Sequence, residues 1–169
     1  QSASFNCSGG HRLRALQRQI ITERNQCMNT NVLEIYDKGF AKVDYWEERL
    51  PDFPHITRDG KWLQHKNGHW TGGFWTGLLW LRSLRSNKIE DFKTAAAWAL
   101  RFKDRIHDNK THDQGFIYGP SCVLGYNIFK EGAFIPLIHA GAKNLTDLFN
   151  QETGLILAWD EPGYEGIAI

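Results

Sequence analysis

Apolar side chains recur at three- and four-residue intervals along most of this 169-residue chain, while strict alternation of apolar and polar positions is scarce. That pattern predicts a mainly α protein. Leu13, Leu16, Ile20 and Ile21 share one face of a polar stretch over residues 11–27, which suits a surface or packing helix, or else a mobile extension. A better helix carries Val32, Ile35, Tyr36, Phe40 and Val43 and ends near Leu50-Pro51, because proline disfavours a helical residue before it. Residues 51–69 hold Pro51, Pro54, Asp59-Gly60 and Asn67-Gly68, a density of turn formers that predicts a long loop. Phe74, Leu78, Leu81 and Leu84 then mark a buried helix over 71–86, in spite of Gly72, Gly73 and Gly77, which would allow close helix contact.

Phe92, Ala95, Ala96, Ala99, Phe102 and Ile106 mark a further helix over 91–106, closing at Asp108-Asn109. Two more are expected over 121–130 and 134–149, with Glu131-Gly132 between them, followed by a turn and an extended apolar segment within 153–160. Helix pairs joined alternately by short turns and longer loops predict an all-α fold, an α-hairpin toroid whose loops line one end. Residues 1–27 read as an N-terminal extension and 28–169 as one partial domain.

Composition narrows the function. Twenty basic and nineteen acidic side chains give a net charge of +1 and are interspersed, which argues against nucleic acid as a partner, since phosphate binding needs a concentrated basic surface. No apolar run reaches the length of a membrane span, so no membrane is expected either. Cys7, Cys27 and Cys122 form no metal-ligand spacing and read as ordinary thiols, although a Cys7–Cys27 disulfide is an option in an exported chain. His65, His107 and His139 suggest no common metal geometry. No metal and no cofactor is called for, and the cytoplasm and the periplasm are both left open.

Two motifs carry candidate chemistry: the aromatic, glycine-rich run from Trp70 to Trp80, and His112-Asp113-Gln114-Gly115-Phe116. Aromatic faces stack on sugar rings, and a carboxylate among apolar neighbours can serve as an acid near neutral pH. Asp113 is the candidate catalytic group; its bland alternative is a cap on the helix or turn that follows. Trp70 and Trp159 are candidate substrate-binding residues, with burial in the core as their alternative. His112 would orient Asp113 or bind a sugar hydroxyl, or be a plain surface histidine. Trp75 and Trp80 fall within the helix and are assigned to packing, and His69 is a loop histidine that adjoins the motif.

These motifs resemble the unsaturated glucuronyl hydrolases, glycoside hydrolase family 88, with the unsaturated rhamnogalacturonyl hydrolases as neighbours. Trp70 to Leu81 is similar to that family's Trp-Thr-x-Gly-Phe-Trp-x-Gly-x-Leu-Trp-Leu run. His112 to Tyr118 matches His-Asp-x-Gly-Phe-x-Tyr/Phe, and Phe149 to Asp160 resembles Phe-Asn-x-x-Thr-Gly-x-Ile-x-Ala-Trp. The resemblance implies part of an (α/α)6 barrel and an unsaturated oligosaccharide, released by a polysaccharide lyase, as substrate. It also implies an unusual hydrolysis. A carboxylic acid protonates C4 of the terminal unsaturated uronate, water adds at C5, and the resulting hemiketal opens to release the next sugar.

Asp113 corresponds to one of two aspartates in that family's site. The other lies in a run resembling Ile-Asp-x-x-Met/Leu-Asn, which is not found before Ile169. The expectation is an N-terminal portion with half an active site, inactive alone. Its open apolar face would be covered by a second fragment or a homo-oligomer. Two other classes stay open: a noncatalytic carbohydrate-binding protein, and a structural α-hairpin domain in which Trp70 and Trp159 are buried away from Asp113.

Overall fold

In a computed structural model, residues 30–158 are described. The expected 11–27 helix, the 1–27 extension, Cys7, Cys27 and Trp159 therefore lie outside the described residues. Helix α1 spans Thr30–Glu47 and is followed by strands β1 (Phe53–Arg58) and β2 (Lys61–His65). These pair antiparallel, with Phe53 opposite His65 and Arg58 opposite Lys61. The stretch expected to be a long loop is thus largely a β-hairpin. Asp59 and Gly60, at φ 49° and 72°, supply the left-handed pair that a two-residue hairpin turn demands. Pro54 cannot join a regular ladder, and the register shifts between Pro54 and Ile56.

Helix α2 spans Gly72–Ser86 and α3 spans Ile89–Leu100, with a 3-10 turn over Arg101–Arg105. Asn87 ends α2 in the left-handed region, its N–H bonding to the Ser83 carbonyl. The short linker folds α3 back along α2 as a helical hairpin. Buried Arg82 pairs with Asp44 of α1 at 3.0 Å and with Asp91 of α3 at 3.5 Å, tying three helices together.

The buried face of α2 is not the expected one. Phe74, Leu78 and Leu81 stay 43%, 43% and 41% exposed, while Trp75, Thr76, Leu79, Trp80 and Ser83 are buried. The reason is the glycines. A Cβ on Gly73 would lie 2.0 Å from the Phe116 carbonyl oxygen, and one on Gly77 would lie 3.1 Å from Pro120 Cβ. Backbones approach closest on that side, so that side packs. Trp75 and Trp80 serve packing as expected, and Trp80 Nε1 donates to the Ser121 carbonyl at 2.8 Å.

Helix α4 (Gln114–Tyr118) runs through a π turn (Gly119–Val123) into α5 (Leu124–Phe129). The helical stretch expected over 121–130 therefore begins at Gln114. The wider π turn accommodates Pro120, which lacks an N–H. Helix α6 spans Ile135–Asp147, and a minimal hairpin joins β3 (Phe149–Asn150) to β4 (Leu155–Ile156).

Phe53 anchors the hairpin in the core. Its ring lies 4.9 Å from those of Trp98 and Phe102, and Arg101 covers both Phe53 and Trp98. Cys122 is a free, fully buried thiol, pushed up to about 11 by that burial. Between α1, the β1–β2 hairpin and α2 lies an apolar groove of about 590 Å³, lined by Ile35, Tyr36, Phe40, Trp62 and Leu78 among others. Among the described residues, no helix is long and apolar enough to cross a membrane.

Candidate functional site

Thr111, His112 and Asp113 form the step between the Arg101–Arg105 turn and α4. Asp113 occupies the N-cap position of α4, yet its carboxylate makes no capping bond. Instead Oδ2 accepts from the Thr111 hydroxyl at 2.9 Å, and the same hydroxyl accepts from the Asp113 N–H at 3.2 Å. The carboxylate is 16% exposed, enclosed but reachable. Its position is that of a cap while its bonding is not.

His112 is held from the third motif. Its N–H and its ring Nδ1 both meet the Ala158 carbonyl, at 2.9 and 2.7 Å. A carbonyl only accepts, so Nδ1 carries a proton. That leaves Nε2 toward the carboxylate, 3.5 Å from Asp113 Oδ1. Ala158 directly precedes Trp159, so the bonds that orient His112 also tie it to the segment leading to the expected substrate-binding tryptophan.

The loop is braced from below. Buried Gln114 donates to the carbonyls of Asp108 and Thr111 at 2.8 and 3.0 Å. Buried Arg105 grips Asp108 Oδ2 through Nε and Nη2 at 2.9 and 2.6 Å. Its Nη1 donates to the carbonyl of His69 at 2.6 Å and reaches that of Asn67 at 3.4 Å. One guanidinium thus joins the loop bearing His69 and Trp70 to the loop bearing His112 and Asp113.

Trp70 is 38% exposed, contrary to the burial that a purely structural domain would require. Its ring lies 6.1 Å from Phe74 and 6.2 Å from Phe116, which are themselves 5.5 Å apart. Phe74 and Phe116 are also exposed. Phe116 follows Asp113 by one helical turn, so the aromatic ledge and the carboxylate share one edge.

Three histidines complete this edge, and sequence reasoning took none of them as a site candidate. The rings of His55, His65 and His69 lie 4.2 to 5.3 Å apart. His55 Nδ1 and Thr71 Oγ1 are hydrogen-bonded at 3.0 Å, and the Thr71 hydroxyl lies 3.3 Å from the Pro54 carbonyl, to which it can donate. Partial burial pushes the His55 and His69 pKa values down, and the neighbouring imidazoles push further. Arg105 acts on His69 in the same direction, while the charge of Asp113 opposes it. The signal for this cluster was the Asp59-Gly60 turn, which folds β1 onto β2 and brings His55 beside His65. Among the described residues, no group of three His, Cys, Asp or Glu side chains is placed to hold a metal ion.

No protein-family model matches the chain. It is 34% identical over 125 residues to the unsaturated chondroitin disaccharide hydrolase of Streptococcus pneumoniae, a match covering 72% of this chain and 31% of that protein. Over 155 residues it is also 34% identical to the protein of that name from Streptococcus pyogenes, covering 87% of this chain and 38% of the relative. Among solved structures it superimposes on an unsaturated glucuronyl hydrolase from Streptococcus agalactiae with a TM-score of 0.67 and 31% identity, over 79% of this chain and 35% of that one. The chain spans about a third of the length of the curated relatives it matches. The expected fold class, an all-α α-hairpin array forming part of a helical barrel, is the one found.

Proposed function

We propose that this chain, related to the unsaturated glucuronyl hydrolases over about a third of their length, forms one side of a site for oligosaccharides ending in an unsaturated uronate. The observation that carries the reading is Asp113. Its carboxylate stands at a helix start without capping it, is fixed by the Thr111 hydroxyl, and borders an exposed aromatic ledge.

In the reaction, a proton goes to C4 of the uronate and positive charge develops at C5, next to the ring oxygen. Water adds there, its surplus proton leaves to a base, and the hemiketal opens to free the neighbouring sugar. Asp113 holds the reacting water or shares a proton with a second carboxylate, since two close acids separate their pKa values. Thr111 and His112 keep the Asp113 carboxylate in place. Trp70 stacks on the sugar, and Trp159 supplies a further apolar wall.

Incubation with a lyase-generated unsaturated uronyl disaccharide tests this. Binding by calorimetry that Trp70→Ala weakens supports the site, and loss of the C4=C5 absorbance that Asp113→Asn abolishes assigns Asp113 its role. Binding that Trp70→Ala weakens and Asp113→Asn leaves unchanged favours a second reading, a noncatalytic carbohydrate-binding protein, for which the exposed ledge of Trp70, Phe74 and Phe116 would suffice. Absence of binding overturns both.

A further inference from the structure

The histidine cluster has no part in the motif resemblance, yet it sits on the same edge as Trp70 and Asp113. His69 is its pivot. At φ 45° it is a non-glycine residue in the left-handed region, where occupancy at a functional edge is held by surrounding structure rather than by the residue itself. Here the surroundings are specific. The buried Arg105 guanidinium clamps the His69 carbonyl at 2.6 Å, and Asn67 Oδ1 accepts the His69 N–H at 3.3 Å. The imidazole lies against His55 at 4.2 Å between ring centres and near His65 at 5.3 Å, while the residue as a whole stays exposed. The same arginine holds the Asp108 carboxylate that helps shape the loop of Asp113. Two loops are therefore set against each other by one buried charge, with an exposed imidazole on one and a carboxylate on the other.

We propose that His69, backed by His55 and His65, is a specificity-determining residue that hydrogen-bonds an uncharged sugar hydroxyl of the oligosaccharide stacked on Trp70. This rests on the carbohydrate reading above. A neutral imidazole presents one donor and one acceptor, as a hydroxyl does, whereas a sulfate group calls for a fixed cation. Burial, the adjoining imidazoles and Arg105 favour the neutral form of His69 and outweigh the opposing charge of Asp113. The cluster thus selects a hydroxyl over a sulfate at neutral pH.

The probe is an unsulfated unsaturated uronyl disaccharide, titrated into the full chain at neutral pH by calorimetry. His69→Gly removes the ring and leaves a residue at ease at φ 45°. It is expected to weaken binding roughly three- to tenfold, the effect of one hydrogen bond, with the melting temperature close to that of the parent chain. In the parent chain, the ring protons of His69 should shift on titration while those of His107 and His139 stay put, a readout independent of how the variant folds. The sulfated disaccharide should bind no more tightly than the unsulfated one. Binding by the parent chain with His69 resonances unmoved, unchanged affinity in a folded His69→Gly chain, or a preference for the sulfated sugar overturns this inference alone. No binding by the parent chain overturns the carbohydrate reading and this inference with it.

Discussion

Gly73→Ala is the sharpest single perturbation of the frame that holds the site. On helix propensity alone, alanine would stabilise α2 by about 1 kcal/mol. The tertiary contacts reverse the sign. The added Cβ would stand 2.0 Å from the Phe116 carbonyl oxygen, 2.5 Å from that of Ile117 and 2.9 Å from Ile117 Cα. An ordinary carbon–oxygen contact needs about 3.3 Å, so α2 and α4 would have to separate by roughly 1 Å at their closest point. Overpacking of this kind costs about 1–3 kcal/mol when side chains can yield. Here the obstacle is the backbone of α4 itself, which puts the cost at the upper end and the net loss at about 2 kcal/mol after the propensity gain. At about 2–4 °C per kcal/mol for a chain of this size, the melting temperature should fall by about 4–8 °C.

Gly115→Ala is the matched control. It lies in α4, and nothing comes within 4 Å of its added Cβ, so it should raise the melting temperature by about 1–4 °C through a less free unfolded chain. Thermal unfolding of both variants by circular dichroism gives the comparison. A Gly73→Ala chain that melts at or above the parent would refute the close α2–α4 approach, and with it the placement of Trp70 beside Asp113.

Arg105→Ala should lower stability by about 3 kcal/mol, because it strands the Asp108 carboxylate and the His69 carbonyl of a largely buried network; a denaturant midpoint within error of the parent would contradict that network. Stability should also depend on pH. His55 and His69 have folded pKa values below the ordinary histidine value of about 6.5, so between the two values the unfolded chain binds more protons. Their contribution is complete above about pH 6.5 and is lost as pH falls toward the folded values. Urea midpoints at about pH 7.5, 6.5 and 5.5 should decline in that order, and a flat series would show that these imidazoles are not shifted. Gly125→Ala, whose Cβ would meet the indole of fully buried Trp80 at 2.5 Å, should destabilise by about 1–3 kcal/mol, read as a lower melting temperature.

Much of the fold was legible because helices carry their own signatures. The spacing of Phe92, Ala95, Ala96 and Ala99 names the buried face of α3, and Leu50-Pro51 marks a stop after α1. His112, Asp113 and Trp70 could be picked out as candidates because each sits in a short contiguous motif; the roles given to them above are proposals. The β1–β2 hairpin was misread for a local reason. Pro51, Pro54 and Asn67-Gly68 turned the Asp59-Gly60 signal into one turn former among several, and a strand exists only through its partner.

What the chain alone determined was the identity and order of its elements and the residues of its motifs, because helix period and turn chemistry act over a few neighbouring residues. Only the tertiary structure decided which stripe of α2 is buried, since that depends on Gly73 and Gly77 meeting the backbone at Phe116 and Pro120. It alone brought His55, His65 and His69 together through the register of a hairpin, and set them beside Asp113 through the buried Arg105. Contacts between residues dozens of positions apart leave no period in the sequence, and the edge of this site is built from such contacts.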